Sequence, residues 1–452
     1  MLAVIVHMPT WFVELFRLVK LIDHASFKNQ ICFIFPVEYP QIDRDVQQIE
    51  GLGIRTIRLY EFKVLDDQKR TKLTKKFKSQ FKKNLLLKFL DKTHLFQNAL
   101  LELVELALVY FRYIYFFRSS NLQIKSILVG GDMPGYDTVI LVKMARKKNI
   151  PITIFSSTMT DGKEQLEIYS RAKAHTAPSF ENIVASICFP NWVRFKKFLP
   201  VMRVPGFRVL ALEWFSVAPS EPWKHCSGRA NTILVESDAI KKYHNFSPKK
   251  TNPEVVVIGS LAVHDALNLM KKNSTIVNER FQHQKPILVS ALPPDFYYMQ
   301  GGRPEAEFSD YATLVSNWFG ALEKLTQTYN IICCLHPSVE LENYIIYENE
   351  NLMIWRFETA AAISLADVYF CSVSSTIRTA IGLGIPVVNY DTYRYRYVDF
   401  KNVSSVAHCE YLSEAILLID SPDLLPPSVK ERKHWGYTKP QISTILMKLK
   451  LS

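Results

Sequence analysis

The sequence lacks the features that mark disulfide-stapled, zinc-bound or repetitive proteins. Its 452 residues contain only seven cysteines, an odd number, and none of them are spaced as a CxxC pair. This pattern argues against a disulfide framework and against a zinc site, and it suits a reducing compartment. The sequence also shows no repeat with a period of 20–50 residues, which argues against a solenoid or a propeller.

Long uncharged hydrophobic runs are missing as well. The longest apolar stretch, LLELVELALVYFRYIYFF at 100–117, carries Glu102, Glu105 and Arg112. Each charge would cost about 2.5–3.5 kcal/mol at the centre of a bilayer, so we interpret this stretch as a buried or interfacial helix. The opening residues, MLAVIVHMPTWF, lack the basic region and the cleavage site of a signal peptide and predict a core strand. We therefore expect a cytoplasmic protein.

Size and composition indicate an ordinary globular protein of more than one domain. Hydrophobic residues make up 48% of the chain and charged residues 22%, which is usual for globular proteins. A chain of 452 residues is longer than a single core usually supports, so two or three domains are expected. The net charge of +12 favours anionic partners.

Much of the positive charge lies in one segment. Residues 66–92 contain ten Lys or Arg and three Asp, a net charge of +7. Five apolar residues recur every fourth position there: Leu73, Phe77, Phe81, Leu85 and Phe89. This spacing predicts an amphipathic helix, which is either an ordinary surface helix or one that lies on an anionic membrane surface. No recognised nucleic-acid motif accompanies the charge, so we expect no nucleic-acid partner.

The order of elements predicts an α/β protein. Residues 126–132, 136–149 and 150–157 have the patterns of a strand, a helix and a strand, which together form a βαβ unit with parallel pairing. We predict two Rossmann-like, doubly wound domains that face a central cleft. The first covers 1–250 and includes a helical segment at 66–118; the second covers 251–452, with a tail that can pack back on the first.

Two polar groups stand at predicted strand ends of the second domain, where doubly wound sheets bind ligands. His336-Pro337 follows the buried strand IICCL, and Ser374, Ser375 and Thr376 open a helix after the strand DVYFCS. Helix N-termini and hydroxyls bind phosphate. The plainer alternatives are a strand-end histidine and a helix N-cap. In the same helix, Arg378 is either an anion ligand or a solvated side chain.

These motifs carry a resemblance. The order of the motifs resembles the nucleotide-binding domain of GT-B glycosyltransferases: HP comes first, SST follows about 35 residues later, and GIPVVN comes after SST. The most similar are bacterial enzymes that use CMP-activated acidic sugars: sialyltransferases, polysialyltransferases and Kdo-type capsule transferases. The resemblance implies that the HP pair and the Ser/Thr turn hold the phosphate of a CMP-sugar donor, with no other cofactor. It also implies transfer to a cell-surface or lipid-linked glycan. A lipid-linked acceptor would explain a peripheral position of the protein at the inner face of the membrane.

A second resemblance keeps an alternative open. GGD followed by a helix and IPITIFSS is similar to the first domain of UDP-N-acetylglucosamine 2-epimerases and related GT-B proteins. Those epimerases and UDP-sugar transferases usually carry a Glu in the helix after the Ser turn, where it binds the ribose. Here the matching position is Thr379, and no carboxylate lies between the Ser turn and Gly384. This difference favours CMP; the alternative is a UDP-N-acetylglucosamine 2-epimerase-like enzyme or a UDP-sugar-dependent transferase.

Glycosyl transfer also needs an acid or base on the acceptor side. The CMP-sialic acid transferases use an acidic-acidic-Gly motif in the first domain. The nearest match here is Thr160-Asp161-Gly162, which has one acid instead of two, and Asp132 at the end of ILVGGD competes for the role. Both have structural alternatives, Asp161 as a turn residue and Asp132 near a helix N-cap. No DxD-type motif stands out, so we expect no metal site.

Overall fold

The computed structural model describes the chain except for residues 23, 62–96, 120–121, 133–137, 157–164, 167–168, 177, 227–228, 245–252, 282–283, 296, 298–304, 337–338, 373, 397, 422 and 452. The described chain divides into two compact units. Unit 1 comprises Met1–Val235, Lys241–Ile258 and Gln441–Ser452, and unit 2 comprises Glu236–Ile240 and Gly259–Pro440. The predicted basic segment 66–92, Asp161 and Pro337 lie outside the described residues.

Unit 1 is built on a parallel sheet. Its strands are β1 (Leu2–Ile5), β2 (Ile31–Phe35), β3 (Arg55–Arg58), β4 (Ser126–Val129), β5 (Ile152–Ser156), β8 (Thr232–Val235) and β9 (Glu254–Val257), while β6 (Val193–Lys196) and β7 (Leu199–Met202) form a separate antiparallel hairpin. The sheet order is β3-β2-β1-β4-β5-β8-β9, with every neighbouring pair parallel.

The helices of unit 1 connect these strands. They are α1 (Pro9–Leu21), α2 (His24–Phe27), α3 (Ile42–Glu50), α4 (Gln97–Ser119), α5 (Thr138–Lys147), α6 (Lys173–Thr176), α7 (Phe180–Cys188) and α8 (Gly206–Trp214), with α16 (Ile442–Leu449) from the end of the chain. Single 3₁₀ turns occur at Lys28–Gln30, Leu59–Glu61, Pro190–Trp192 and Lys242–His244. Strands β1, β2, β4 and β5 are buried along their whole length, as expected for a parallel sheet covered on both faces.

One feature of unit 1 differs from the predicted division at residues 250 and 251. Strand β9 pairs in parallel with β8 as an edge strand of the first sheet, so the chain enters unit 2 after Ile258. The end of the chain, for which the sequence analysis expected a tail that can pack back on the first domain, contributes helix α16 to unit 1, where the Ser126 hydroxyl donates to the Leu449 carbonyl and the Lys448 ammonium binds Glu254. The apolar run at 100–117 lies within α4, and no helix among the described residues is long and apolar enough to cross a membrane.

Unit 2 repeats the parallel design. Its strands are β10 (Ile287–Ala291), β11 (Asn330–Cys334), β12 (Leu352–Trp355), β13 (Val368–Cys371), β14 (Val387–Tyr390) and β15 (Val406–Cys409). Its helices are α9 (Asp238–Lys241, whose first residues belong to this unit), α10 (Leu261–Arg280), α11 (Tyr311–Leu325), α12 (Thr359–Ile363), α13 (Ile377–Leu383), α14 (Leu412–Ile419) and α15 (Val429–His434), with 3₁₀ turns at Leu341–Asn343 and Ile345–Tyr347.

The second sheet has the order β12-β11-β10-β13-β14-β15, again wholly parallel. Numbered by chain order within the unit, this is 3-2-1-4-5-6, the order of the doubly wound nucleotide-binding fold. The core beneath the sheet is aromatic: the Trp318 ring stacks on Phe370 with 4.3 Å between centroids, and its indole N–H donates to Ser290 Oγ. The prediction of an α/β fold with two doubly wound parallel sheets is confirmed.

Candidate functional site

The strand order of unit 2 defines where a ligand binds in this fold. The chain leaves the first strand, β10, towards β11 and β12, and later returns to β13 on the opposite side of β10. Connections on the two sides of this switch point lead to opposite faces of the sheet, which leaves a crevice at the carboxyl ends of the strands. The segments that follow β10, β11 and β13 therefore border the candidate site.

His336 is held at one side of this edge. Strand β11 is buried throughout and ends at Cys334, whose register partner on β10 is Ala291. Two residues later, the His336 side chain reaches solvent and its carbonyl accepts the Val339 N–H. The surrounding protein desolvates the ring and lowers the pKa of His336 below its ordinary value of 6.5. The imidazole is therefore neutral at pH 7, with one nitrogen able to donate and one able to accept.

The Ser/Thr turn occupies the other side of β10. Cys371, the last residue of β13, also pairs with Ala291, so β11 and β13 flank the same point of β10. Neighbouring strands lie about 4.8 Å apart, which places the two strand ends about 10 Å from each other. One phosphoryl group or one nucleotide is large enough to contact side chains from both. The structure thus brings His336 and the turn that begins at Ser372 to one edge of one sheet.

The hydroxyls of the turn are not equivalent. Thr376 Oγ1 lies 2.6 Å from Ser374 Oγ and is also bonded to the hydroxyl of the fully buried Tyr369. The Ser374 oxygen further accepts the Thr376 N–H at 3.3 Å. These bonds fix the turn to the underlying strand. Ser375, by contrast, is exposed at the tip of the turn and is the hydroxyl best placed to meet a ligand.

Arg378 also has a role within the turn. Its Nε donates to the Ser375 carbonyl at 3.0 Å, which ties the first turn of α13 to the preceding loop. Arg378 therefore has a structural role in the turn, and its role as an anion ligand stays a prediction. Thr379, the position where the resemblance expected a ribose-binding acid, is buried. The sequence of α13, IRTAIGL, contains no carboxylate.

Ser372 is a further polar residue at this edge of the sheet. It directly follows β13 and is buried, and its hydroxyl has no hydrogen-bond partner among the described residues. A buried hydroxyl usually has a partner, because leaving it without one costs about 1–3 kcal/mol. The sequence placed Ser372 at the end of the strand DVYFCS and at the start of the strand tip 372–376, but Ser372 was not among the predicted site residues.

Unit 1 has its own switch point, between β1 and β4. Residues Gly130 and Gly131 follow β4 and pack against Trp11 of α1: a Cβ at Gly130 would lie 2.4 Å from Trp11 Cγ. Asp132, the predicted candidate acid, comes next and is 0% exposed. Its carboxylate raises the pKa of the buried Cys226 thiol, in addition to the larger effect of burial. Burial lowers the pKa of the Arg229 guanidinium, and the negative charge of Asp132 partly offsets this by raising it.

Buried histidines surround this point, and sequence reasoning missed them. His7 follows β1, and its ring meets Trp11 edge-on at 5.7 Å; His225 meets the same indole at 6.4 Å and donates from Nε2 to the Gly130 carbonyl at 3.4 Å. Burial lowers the pKa of His225 to about 4 and that of His244 to about 3. The motif VIVHMP was a usable signal, because it places a histidine two residues after a core strand, as CCLHP does.

Comparisons with known proteins identify the fold. No protein-family model and no curated protein matches the chain. The UDP-GlcNAc 2-epimerase from Neisseria meningitidis bound to UDP-GlcNAc matches over 100% of this chain and 99% of its own, with 12% identity and a TM-score of 0.50. The UDP-GlcNAc 2-epimerase from Methanocaldococcus jannaschii matches over 99% of both chains with 11% identity and a TM-score of 0.48.

The MurG structure from Acinetobacter baumannii matches over 100% of this chain and 99% of its own, with 11% identity and a TM-score of 0.44. Of these three structures, the one from Neisseria meningitidis reaches a TM-score of 0.5, and at 12% identity it shows a common fold and nothing finer. Together with the two parallel sheets, that likeness identifies the chain as a protein of the GT-B fold type.

Proposed function

We propose that the protein is a nucleotide-sugar-dependent glycosyltransferase. The observation that carries this proposal is the placement of His336 and the Ser/Thr turn at the carboxyl ends of β11 and β13, on either side of β10. In this arrangement the neutral imidazole and the exposed Ser375 hydroxyl donate hydrogen bonds to the donor phosphate. Donor phosphates leave during glycosyl transfer, so hydrogen bonds that strengthen on the departing oxyanion promote the reaction.

The first candidate donor is a CMP-activated acidic sugar of the sialic-acid or Kdo type. It is favoured by the absence of a carboxylate from α13 and by the buried position of Thr379, which leaves no acid there to bind a ribose. The resemblance of HP and SST to the CMP-sugar transferases supports the same donor. The acceptor would be a cell-surface or lipid-linked glycan.

The second candidate donor is a UDP-sugar, either for transfer or for 2-epimerisation. It is favoured by the structural comparison, since the Neisseria meningitidis enzyme, similar over its whole length, was solved with UDP-GlcNAc bound. The comparisons support this alternative better than they support CMP. A UDP-sugar enzyme would have to bind the ribose hydroxyls by groups outside α13.

For the acceptor side we propose Asp161 as the general base. It belongs to the segment that follows β5, and Asp132 belongs to the segment that follows the neighbouring strand β4. Asp132 is completely buried and interacts electrostatically with Arg229, which suits a positioning role better than direct contact with an acceptor. Asp161→Asn should abolish transfer and leave nucleotide affinity unchanged. Asp132→Asn, unlike Asp161→Asn, should in addition lower the melting temperature.

An assay of donor turnover distinguishes the candidates. The purified protein is incubated with a CMP-activated acidic sugar or with UDP-GlcNAc, each with and without a glycan acceptor. Transfer of the acidic sugar that requires the acceptor supports the first candidate. Turnover of UDP-GlcNAc to an epimerised or free sugar without any acceptor supports the epimerase, and neither reaction would be expected of a non-catalytic protein.

We further propose a peripheral position at an anionic membrane surface, with the basic segment 66–92 as one contact. The support is its composition, ten basic residues against three acids with a periodic apolar stripe. A lipid-linked acceptor would require such a position. Sedimentation with anionic vesicles tests this, and loss of sedimentation after neutralising the lysines of the segment is the expected result.

A further inference from the structure

The antiparallel hairpin of unit 1 has an unusual surface. Strands β6 and β7 pair from Val193 with Met202 to Lys196 with Leu199, so that only Lys197 and Phe198 form the turn. We refer to 193–202 as the hairpin surface. Its base is anchored: Val201 and Met202 are buried, and the Met202 carbonyl accepts a hydrogen bond from His175 Nδ1 at 2.9 Å.

The outer half of the hairpin surface exposes aromatic side chains to water. Phe198 is 97% exposed and Phe195 is 66% exposed, and Leu199 beside them is also exposed. An isolated exposed apolar residue needs no explanation, but a cluster at the tip of a projecting turn is typical of an interaction site. Lys197 adopts a φ of 55°, a left-handed conformation that disfavours a residue with a Cβ.

Cationic residues are neighbours of these aromatic residues in the sequence of the hairpin. The hairpin sequence VRFKKFLPVM contains Arg194, Lys196 and Lys197 and no acid. Arg194 lies over the Trp223 ring at 5.2 Å, and Lys196 Nζ donates to Ser170 Oγ at 3.2 Å. Both contacts hold a positive charge close to the protein surface beside the hairpin, whereas Lys197 extends from the turn itself and is exposed.

The preceding helix adds apolar area. In α7, three exposed residues occur at positions i, i+3 and i+7, on one face: Phe180, Ile183 and Ile187, the last of which is 74% exposed. A single 3₁₀ turn, Pro190–Trp192, leads from this helix into β6. Six exposed large apolar residues thus lie in the stretch 180–199: Phe180, Ile183, Ile187, Phe195, Phe198 and Leu199.

We propose that the hairpin surface docks on an anionic lipid bilayer, with Phe195 and Phe198 inserted among the acyl chains near the headgroups. The exposed Lys197 then contacts a headgroup phosphate, and Arg194 and Lys196, held on the opposite face of the strand from Phe195, add positive charge close to the bilayer. Aromatic side chains prefer this interfacial depth, and each lysine or arginine near an anionic leaflet adds to the attraction. This surface is distinct from the basic segment 66–92, and its docking does not depend on which nucleotide the donor site binds.

The charge distribution argues for lipid over a protein partner. Protein interfaces are depleted of lysine at their centres, and here Lys197 adjoins the most exposed aromatic residue of the hairpin. A second copy of the chain packed symmetrically on this surface would set the same three cations against one another, which is unfavourable. Anionic headgroups, by contrast, match both the rings and the charges.

The experiment compares vesicle binding of the full chain and three variants. Co-sedimentation is measured with phosphatidylcholine vesicles that contain about 30% phosphatidylglycerol or none, at low and high salt. Phe198→Ser should weaken the partition coefficient on anionic vesicles about tenfold, since it removes one buried aromatic side chain. Lys197→Gln should weaken it about fivefold at low salt and less at high salt.

Phe357→Ser is the control, because Phe357 is an exposed phenylalanine of unit 2, outside the hairpin surface, with 60% of its surface exposed. It should leave the partition coefficient unchanged. Equal binding by wild-type protein and Phe198→Ser would overturn the proposal, and so would dimerisation that Phe198→Ser abolishes without any vesicle binding. Nucleotide affinity, measured in parallel, should be unchanged in Phe198→Ser, so failure of the membrane proposal and failure of the donor-site proposal are distinguishable.

Discussion

The side chains of Thr376 and Ser374 are hydrogen-bonded to each other, with 2.6 Å between Oγ1 and Oγ, and Thr376 is bonded in turn to the buried Tyr369 hydroxyl. This chain of hydroxyls connects the turn after β13 to the sheet below it. It divides the turn into residues that hold its shape and one exposed residue, Ser375, that is available to a ligand.

The first prediction separates these two roles. Thr376→Val should lower the free energy of unfolding by about 1–2 kcal/mol, because it removes a partner of the buried Tyr369 hydroxyl. Ser375→Ala should change stability by less than about 0.5 kcal/mol, as expected for an exposed side chain, and should weaken nucleotide binding. Urea unfolding and nucleotide titration of both variants check this. Equal stability of the two variants would contradict the division.

A second prediction concerns the close packing at the switch point of unit 1. Gly130→Ala places a methyl group against the Trp11 indole, 2.4 Å from Cγ, where neither can move freely. We expect a loss of about 2–3 kcal/mol from this overpacking, measured by urea unfolding.

Gly320→Ala serves as the matched control for that measurement. Gly320 lies inside α11, and apart from the backbone of its own helix and its two chain neighbours no atom of the described residues lies within 4 Å of the added Cβ. Alanine in a helix interior is favoured over glycine by about 1 kcal/mol, so this variant should be more stable than the wild type. A destabilised Gly320→Ala, or an unaffected Gly130→Ala, would show that the packing is described wrongly.

The third prediction is a pH dependence of stability. Burial lowers the pKa of His225 to about 4, while in the unfolded chain its pKa is near 6.5. Below pH 6.5 the unfolded state binds a proton that the folded state does not, so stability is lost as the pH falls from 6.5 towards 4. The loss from this group is on the order of 2–3 kcal/mol by pH 4.

Thermal unfolding between pH 7.5 and pH 4 of the wild type and His225→Gln tests this. The variant is less stable at pH 7.5, and its stability should fall less steeply on acidification. His244, with a pKa of about 3, contributes in the same direction and remains in the variant. Parallel pH profiles for the two proteins would contradict the assignment of a neutral, buried His225.

The sequence predicted the fold better than it predicted the site. Continuous apolar runs such as SILV and ICFIF lie between helical patterns, and they were sufficient to predict two parallel sheets and the placement of His336 and Ser374–Thr376 at strand ends. Asp132 is buried and interacts electrostatically with Arg229 and Cys226, which are remote in sequence, so no local pattern reveals its surroundings. The hairpin of β6 and β7 lacks an Asn-Gly or Gly-containing turn, since its turn is Lys197-Phe198.

The boundary between the domains shows the same limit. The polar segment SPKKTNP predicted a division at residue 250, but EVVV pairs with β8 as the last strand of the first sheet. Strand propensity identifies a strand without identifying the sheet that it joins. The sequence analysis did expect a tail that can pack back on the first domain, but it could not name the contacts, such as the Ser126 hydroxyl to the Leu449 carbonyl, because they join residues remote in sequence.

The most direct test of the proposed donor site is calorimetric titration of the wild type, His336→Ala and His434→Ala with CMP and with UDP. His434 is an exposed histidine of the same unit that is not near the ends of β11 and β13 in the chain. We predict that one of the two nucleotides binds, that His336→Ala weakens it at least tenfold, and that His434→Ala has no effect. Binding of neither nucleotide, or equal affinity in wild type and His336→Ala, would contradict a donor site at the end of β11.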